Sequence, residues 1–470
     1  MKYSIYLIGL SLLFACSQPG QLRINFTGDV ILDRGVADQL AIYGDSMVSN
    51  TMKPFLDGDF NLINLETVLT TKAYDSLKRG YRFKQDPKIA TDLLAGGVTH
   101  ASVANNHSFD FDSLGFLATI STLNANGISA IGNGCDPIIV SKRTQEIGIL
   151  AVSLTSNNSH LCLKSAERVL DRVDEFKADH NEIPLIIYIH WGLEYQQKPE
   201  KWQVDLAHRF IDHGVDAVIG HHPHVFQNID YYKGKPIVYS LGNFLADAYL
   251  PNTTQGVMAS IECKNSILSL SLTPVDLSSY FPARMNMTKQ IQLMLHNLKF
   301  SNKVCFYNTG SGWNVQQIED TNFEEKDAMW LFHVDNQYGI MLSTLSNGLH
   351  RLTLMKDGVS QKSMMIHGKL SEIEIADITN DGNQEILLGI TKKVNFDPVD
   401  KKRLNVFRIE DDGIQTVWLG TKFLRDLRSF SVFMKDQINY LQTSEADSTG
   451  RSFGVTYIWD EFGFALSSKN

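Results

Sequence analysis

In the first half of this sequence, residues that can bind metal or move protons recur at one kind of place: the ends of short apolar runs. Thr27-Gly28-Asp29 follows the run 22–26, Asn64-Leu65-Glu66 ends the run at 60–65, and Asn105-Asn106-His107-Ser108-Phe109-Asp110 follows 98–104. His190-Trp191-Gly192-Leu193-Glu194 ends another, and Gly220-His221-His222-Pro223-His224 follows 217–219. Six of the fourteen histidines lie at or near these points (His107, His190, His213, His221, His222 and His224), so imidazole is concentrated where carboxylates and amides already stand. Oxygen ligands mixed with imidazoles suit Mn²⁺, Fe or Zn²⁺, and the lack of thiolates argues against copper(I) and iron–sulfur centres. Such a site supports metal-assisted hydrolysis, in which a bound water is acidified and the metals clamp the substrate's oxygens. Taken singly, Gly28-Asp29 is a common turn, Asn64 and Glu66 can cap a helix, and Asn105-Asn106-His107 can be a hydrogen-bonded turn. Three imidazoles within five positions at 220–224 are harder to read as an ordinary surface loop.

The elements that must position these residues read as an α/β layering. Strands are expected at 22–26, 60–65, 98–104, 147–154, 185–190, 217–219 and 237–240, with helices at 87–96, 113–126, 163–178 and 200–213. Asp86-Pro87 is a good helix start, and Leu114, Leu117 and Ala118 mark the apolar face of the second helix. In such a fold the C-terminal ends of the strands share one rim, so motifs far apart in sequence converge there. Runs at 257–263 and 267–272 read as a closing antiparallel pair, and 287–299 as a linking helix. Beyond about residue 302 the chain turns β-rich with a loose threefold repeat. Its units are 327–345 with 350–358, 371–389 with 403–413, and 428–445 with 452–462, which reads as a propeller-like module.

The chain has 470 residues with 43 Lys plus Arg against 52 Asp plus Glu, a formal charge of −9. With 43% hydrophobic and 20% charged residues it is globular, and its length allows two or three domains. The acidic balance and the lack of a basic run exclude a nucleic-acid binder that works by phosphate neutralisation. Five scattered cysteines without a CxxC pair exclude a disulfide framework and a thiolate zinc site. Met1-Lys2 followed by an apolar run to Phe14 and then Ala15-Cys16 has the form of a secretory signal, too short to span a bilayer. Leu13-Phe14-Ala15-Cys16 resembles a bacterial lipobox, which implies lipidation at Cys16 and a location in the bacterial cell envelope. The polar tether after it favours this over a plain secretory signal or an anchor helix. The other four cysteines are expected as buried thiols.

Together these motifs carry a family resemblance. The order Gly28-Asp29, Asn64-Leu65-Glu66, Asn105-Asn106-His107, His190-Trp191-Gly192, Gly220-His221-His222-Pro223-His224 and Tyr239-Ser240-Leu241-Gly242-Asn243-Phe244 resembles the CapA/PgsA capsule-synthesis family over about residues 22–250. That family is similar in turn to the calcineurin-like metallophosphoesterases, which implies a double β-sandwich flanked by helices. The resemblance implies Asp29, Glu66, Asn106, His190, His222 and His224 as ligands of one or two divalent ions, with Glu66 bridging. It implies His107 as the outer acid or transition-state donor, Arg34 as a holder of an anionic group, and Trp191 and Glu194 as walls of the substrate pocket. Position 31 is Ile where the phosphoesterases have the His of Asp-x-His, and position 33 is Asp where the family commonly has Gly. The first departure removes a ligand from one metal and leaves one ion or two open.

In the repeat module, Asp377-Ile378-Thr379-Asn380-Asp381-Gly382-Asn383-Gln384-Glu385 resembles the acidic loops of integrin-type FG-GAP repeats. This implies Ca²⁺ held by Asp377, Asp381 and Glu385, the alternative being a solvated hairpin turn. The expected organisation is a signal at 1–16, a tether at 17–21, a catalytic-type α/β domain at 22–280, a linker helix at 281–301 and the repeat module at 302–470. The expected function is an envelope-anchored metal-dependent hydrolase acting on a phosphoester or an anionic polymer such as capsule or poly-γ-glutamate. The alternative is a non-catalytic scaffold with a structural or vestigial metal, whose β-module binds glycan or a partner protein.

Overall fold

Alternation along single strands, with one irregular stretch, sets up three apolar clusters. In the strand Leu22–Val30, residues Leu22, Ile24 and Phe26 belong to one apolar cluster, and register shifts between Phe26 and Val30 turn Val30 into another. In Leu185–His190, Ile186 and Tyr188 face that first cluster while Leu185, Ile187 and Ile189 face a third. Side chains on a strand point alternately to its two faces, so each of these strands is buried on both sides. The first cluster lies between two sheets, where Phe26 and Leu62 meet Ile149, Tyr188 and Ile219. The second is covered by the helices Gly35–Tyr43, Ser46–Met52, Ala90–Ala95 and Asp112–Ala125, and the third by Ala166–Asp179 and Lys201–Asp212. The layers run helix, sheet, sheet, helix.

The structure is a computed structural model. It describes residues 21–467 except 75–80, 156–160, 162–164, 286–288, 291–292, 295–303, 309–312, 318–327, 334–337, 345–348, 357–358, 395–396, 411–412, 421–422 and 461–462. The signal, Cys16 and most of the tether and linking helix lie outside the described residues.

In the first sheet, Leu22–Val30, Phe60–Leu65, His100–Ser102 and Ser129–Ile131 run parallel. In the second, Gln145–Ser153, Leu185–His190, Ala217–His221 and Lys235–Val238 do the same. Parallel strands put their C-terminal ends on one side, which brings the polar motifs to a common rim. The helix Ala166–Asp179 buries Val169, Val173 and Phe176, and Ser165 accepts a hydrogen bond from the Arg168 N–H at its start. The helix at 112–125 departs from expectation. Leu114 and Leu117 are 74% and 59% exposed, and the buried face is Gly115, Thr119 and Leu123.

The first sheet continues beyond the α/β layers. Leu22–Val30 pairs with Gln255–Lys264, which pairs with Ile267–Asp276, and Leu270 of that strand is in register with Val315 of Trp313–Gln317. The sheet then extends through Val304–Asn308 into the meander Ala328–His333, Tyr338–Thr344, His350–Lys356 and Val359–Ile366. Two more four-stranded antiparallel meanders follow, from Lys369–Ala376 to Gly413–Leu419 and from Asp426–Lys435 to Gly463–Leu466. These three meanders fall on the three repeat units of the sequence. Among the described residues they do not close into a propeller, because the first is hydrogen-bonded into the large sheet. Cys263 is a buried thiol as expected, whereas Cys135 is disulfide-bonded, not free.

Candidate metal centre and its cleft

Asp29 stands near the end of Leu22–Val30, fully buried, and the other candidates gather around it. Gly28 permits this placement. A Cβ on it would lie 1.8 Å from the Gly242 carbonyl oxygen, so only glycine lets Asn243–Leu245 pair beside Asp29. His221 Nδ1 is 3.5 Å from Asp29 Oδ1, and His224 Nδ1 is 3.1 Å from Asp29 Oδ2. The backbone N–H of His222 donates to Asp29 Oδ2 at 3.2 Å. His222 and His224 have φ of 101° and 57°, values that L residues adopt at a cost of ~1–3 kcal/mol. These turns bring both imidazoles to one place, with ring centroids 6.0 Å apart.

Asn64 ties the two carboxylates together. Its Nδ2 donates to Asp29 Oδ1 at 2.8 Å and to Glu66 Oε1 at 3.1 Å, and Asn105 Nδ2 donates to Asn64 Oδ1 at 3.2 Å. His190 completes the group: Nδ1 is 2.8 Å from His221 Nδ1, and Nε2 is 2.7 Å from Asn106 Oδ1. Ligand-type atoms converge in three overlapping sets: Asp29, His190 and His221; Asp29, Glu66 and His224; and Glu194, His222 and His224.

The electrostatics favour neutral His190, His221 and His222 around one strong carboxylate, whereas His224, despite its burial, is raised by its hydrogen bond to Asp29. Burial alone would raise the Asp29 carboxyl, but its hydrogen bonds from His221 and His224 outweigh this and hold it well below the usual range. Burial and then the Asp29 charge push Glu66 well above the carboxylate range. Burial, with neighbouring imidazoles, lowers His190 well below its ordinary value and His222 to about 3. Glu66 Oε2, His221 Nε2 and His222 Nδ1 are buried without a hydrogen-bond partner. Orphaned lone pairs on a neutral-imidazole and carboxylate set are what a divalent cation satisfies, so the residues present fit such an ion.

His107 sits at the mouth of the cluster. Its Nδ1 donates to Asp110 Oδ2 at 2.9 Å, leaving Nε2 4.0 Å from Glu66 Oε2. The Phe83 N–H donates to the same Asp110 oxygen at 2.8 Å, and the Phe83 ring lies 4.3 Å from the His107 ring. A cleft of about 630 Å³ opens here, lined among others by Arg34, His107, Glu194, His224 and Tyr249.

All six expected ligands are therefore gathered, and Arg34 and Glu194 line the cleft, although the Arg34 guanidinium is already paired with Asp247. Trp191 does not shape the pocket. It is fully buried, donates from Nε1 to the Tyr239 carbonyl at 2.9 Å and packs in the core under the second sheet. His221, Asn64, Asp110 and Asn243, which lies 2.9 Å from His224 Nδ1, were not among the expected site residues. All four lie inside the motifs, so their proximity was the available signal.

In the loop where calcium is expected, a positive charge stands among the carboxylates. Arg408 Nε donates to Glu385 Oε1 at 2.7 Å, and its Nη2 lies 2.8 Å from Asp381 Oδ2. Asp377 spends both oxygens on the backbone N–H groups of Asp381 and Gly382. The guanidinium neutralises the loop in place of a cation.

The profile described as bacterial capsule synthesis protein PGA_cap matches residues 23–248, the stretch that holds every residue of the cluster. This stretch belongs to the bacterial capsule synthesis family. Within the family's relatives, the chain is 25% identical over 288 residues to the capsule biosynthesis protein CapA of Bacillus anthracis, covering 56% of this chain and 69% of that one. It is 26% identical over 278 residues to the PGA biosynthesis protein CapA of Bacillus subtilis (strain 168), covering 56% and 73%. A probable polyglutamine synthesis accessory protein of Mycobacterium tuberculosis is 28% identical over 213 residues, 40% of this chain and 56% of its own length. Among the described residues no helix is long and apolar enough to cross a membrane.

Proposed function

We propose that this protein serves the synthesis of a capsule polymer of the poly-γ-glutamate type, as a metal-dependent hydrolase of metallophosphoesterase character. The observation that carries the reading is the buried Asp29, Glu66 and histidine cluster, with orphaned ligand atoms, at the foot of an open cleft. Asp29, Glu66, His190, His222 and His224, with Asn106 and His221 beside them, would hold one or two Mn, Zn or Fe ions. When bound there, a divalent ion supplies Lewis-acid polarisation of a phosphoryl or carbonyl oxygen. The chain's own part is positional. Asp110 accepts from His107 Nδ1 and so turns Nε2 toward the cluster, and the imidazolium form of His107 would give its Nε2 proton to the departing group. The Phe83 ring holds the imidazole from one side. Glu194, at the edge of the cleft, is placed both to complete a ligand set and to orient the substrate.

We further propose envelope anchoring through a lipid on Cys16. The disulfide at Cys135 suits an oxidising compartment. One observation favours the non-catalytic reading: the buried Ile31 lines the cleft where the phosphoesterases place a ligand histidine. The two readings separate in one experiment. The purified full chain supplied with Mn²⁺ should cleave a chromogenic phosphodiester or a γ-glutamyl polymer, and His107→Ala should abolish this with metal retained. A chain that keeps no metal after purification in metal-replete buffer is not this hydrolase.

A further inference from the structure

Among the described residues, carboxylates outnumber guanidinium groups in the cleft before any substrate arrives. Two guanidinium groups line it, Arg34 and Arg82, against the carboxylates Asp110, Glu194 and Asp247. Asp247 pairs with Arg34 through Oδ1, and its Oδ2 accepts weakly from the Gly35 N–H at 3.4 Å. Arg34 has φ 53° and lies over the rings of Tyr81 and Phe83, 5.5 and 5.0 Å from their centroids. Arg82 lies over Tyr74 and Phe111. The outer wall is aromatic, with Tyr81 and Tyr249 72% and 71% exposed.

A track for the interior of a polyanion needs a row of uncompensated cations, and its binding weakens steeply with salt. This cleft has the opposite design. Its about 630 Å³ is the size that encloses a drug-sized molecule, and among the described residues its two guanidinium groups are engaged, Arg34 by Asp247 and Arg82 by the rings of Tyr74 and Phe111. Among the described residues, the metal-ligand cluster is where an anionic group meets buried ligand atoms without partners.

We propose that Asp247 is a specificity-determining residue: by holding Arg34 neutralised, it makes the cleft take one terminal anionic group of a chain and refuse its repeating interior. This rests on the polymer reading above. Asp247 competes with any second substrate carboxylate for the same guanidinium, so each added anionic unit gains nothing.

The test is calorimetric binding of γ-glutamyl oligomers of about three and about thirty units to the full chain loaded with Mn²⁺, with affinity counted per oligomer. A terminal site gives affinities within about twofold of each other and a shallow salt dependence. Asp247→Asn frees Arg34, and affinity for the longer oligomer should rise by about fivefold or more, with a steeper salt dependence and unchanged metal content. A longer oligomer that binds the native chain over about tenfold tighter than the short one overturns the inference alone, as does an Asp247→Asn variant that binds no tighter. Failure of both lengths to bind overturns the polymer reading and the inference with it.

Discussion

Loading the cluster with metal should raise thermal stability by an amount the structure lets one work out. Glu66 Oε2, His221 Nε2 and His222 Nδ1 are buried without partners, and each such atom costs ~1–3 kcal/mol. An ion that engages them relieves this cost only in the folded state. At free Mn²⁺ 100 times its dissociation constant, linkage gives about 2.7 kcal/mol. For a unit of 150–250 residues, about 2–4 °C accompanies each kcal/mol, so the midpoint of the N-terminal unit should rise by about 5–10 °C. Scanning calorimetry of EDTA-dialysed chain, with Mn²⁺ or Zn²⁺ added back, measures this directly. Glu66→Gln keeps the shape but replaces a carboxyl that can ionise onto the ion with a neutral amide, and should cut the rise to below ~2 °C. A native chain that melts at the same temperature with and without every divalent ion tested refutes the reasoning, because those three atoms would then be satisfied in some other way.

Other outcomes follow from single contacts. Asp110→Ala removes the acceptor that orients His107, and turnover should fall by about 10²–10⁴ with metal content unchanged, read by steady-state kinetics beside elemental analysis. Burial pushes the His100 imidazole down to about 4, below the 6.5 of an unfolded chain. The unfolded state therefore binds the extra proton between these values, so stability is lost as pH falls from 6.5 to 4, by at most about 3 kcal/mol. Urea unfolding of His100→Gln should show a shallower slope, the part due to His190, His221 and His222 remaining, and an unchanged slope would place the titrating group elsewhere. Arg408→Met leaves the fully buried Glu385 carboxylate without its cation and should destabilise the C-terminal meanders by about 3–5 kcal/mol. Ca²⁺ should not stabilise the native chain there, and a calcium-dependent rise in the melting of those meanders would contradict the reading of Arg408.

The site was legible because its residues stand in consecutive stretches at the ends of strands. A reader who finds the strand at 217–221 has found His221, His222 and His224 at once. What escaped was anything carried by pairing between distant segments. Asp110 matters through a loop residue, Phe83, whose N–H it accepts, and Arg34 through Asp247, more than two hundred positions away. The helices Gly35–Tyr43 and Ser46–Met52 were missed because neither has a side-chain cap, and the first opens on Gly35 after an Arg34 of positive φ. The apolar spacing of Leu114 and Leu117 misled because these side chains face outward, while small residues, Gly115 and Thr119, make the packed face. The three repeat units were readable from periodicity. The attachment of the first to the large sheet was not, since the register of Leu270 with Val315 leaves no local trace.

That attachment bears on how the molecule can be divided. A cut at 301, where the sequence suggests a boundary, would strip Trp313–Gln317 from Ile267–Asp276 and leave a row of backbone donors and acceptors open beside Leu270 and Leu272. The fully buried Trp313 would leave with the severed piece and expose the apolar surface it covers. The shortened N-terminal half would then seek another strand to replace the lost one, and the nearest supply in a concentrated solution is a second copy of itself. Stickiness in such a fragment would be a property of the scissors, not of the protein.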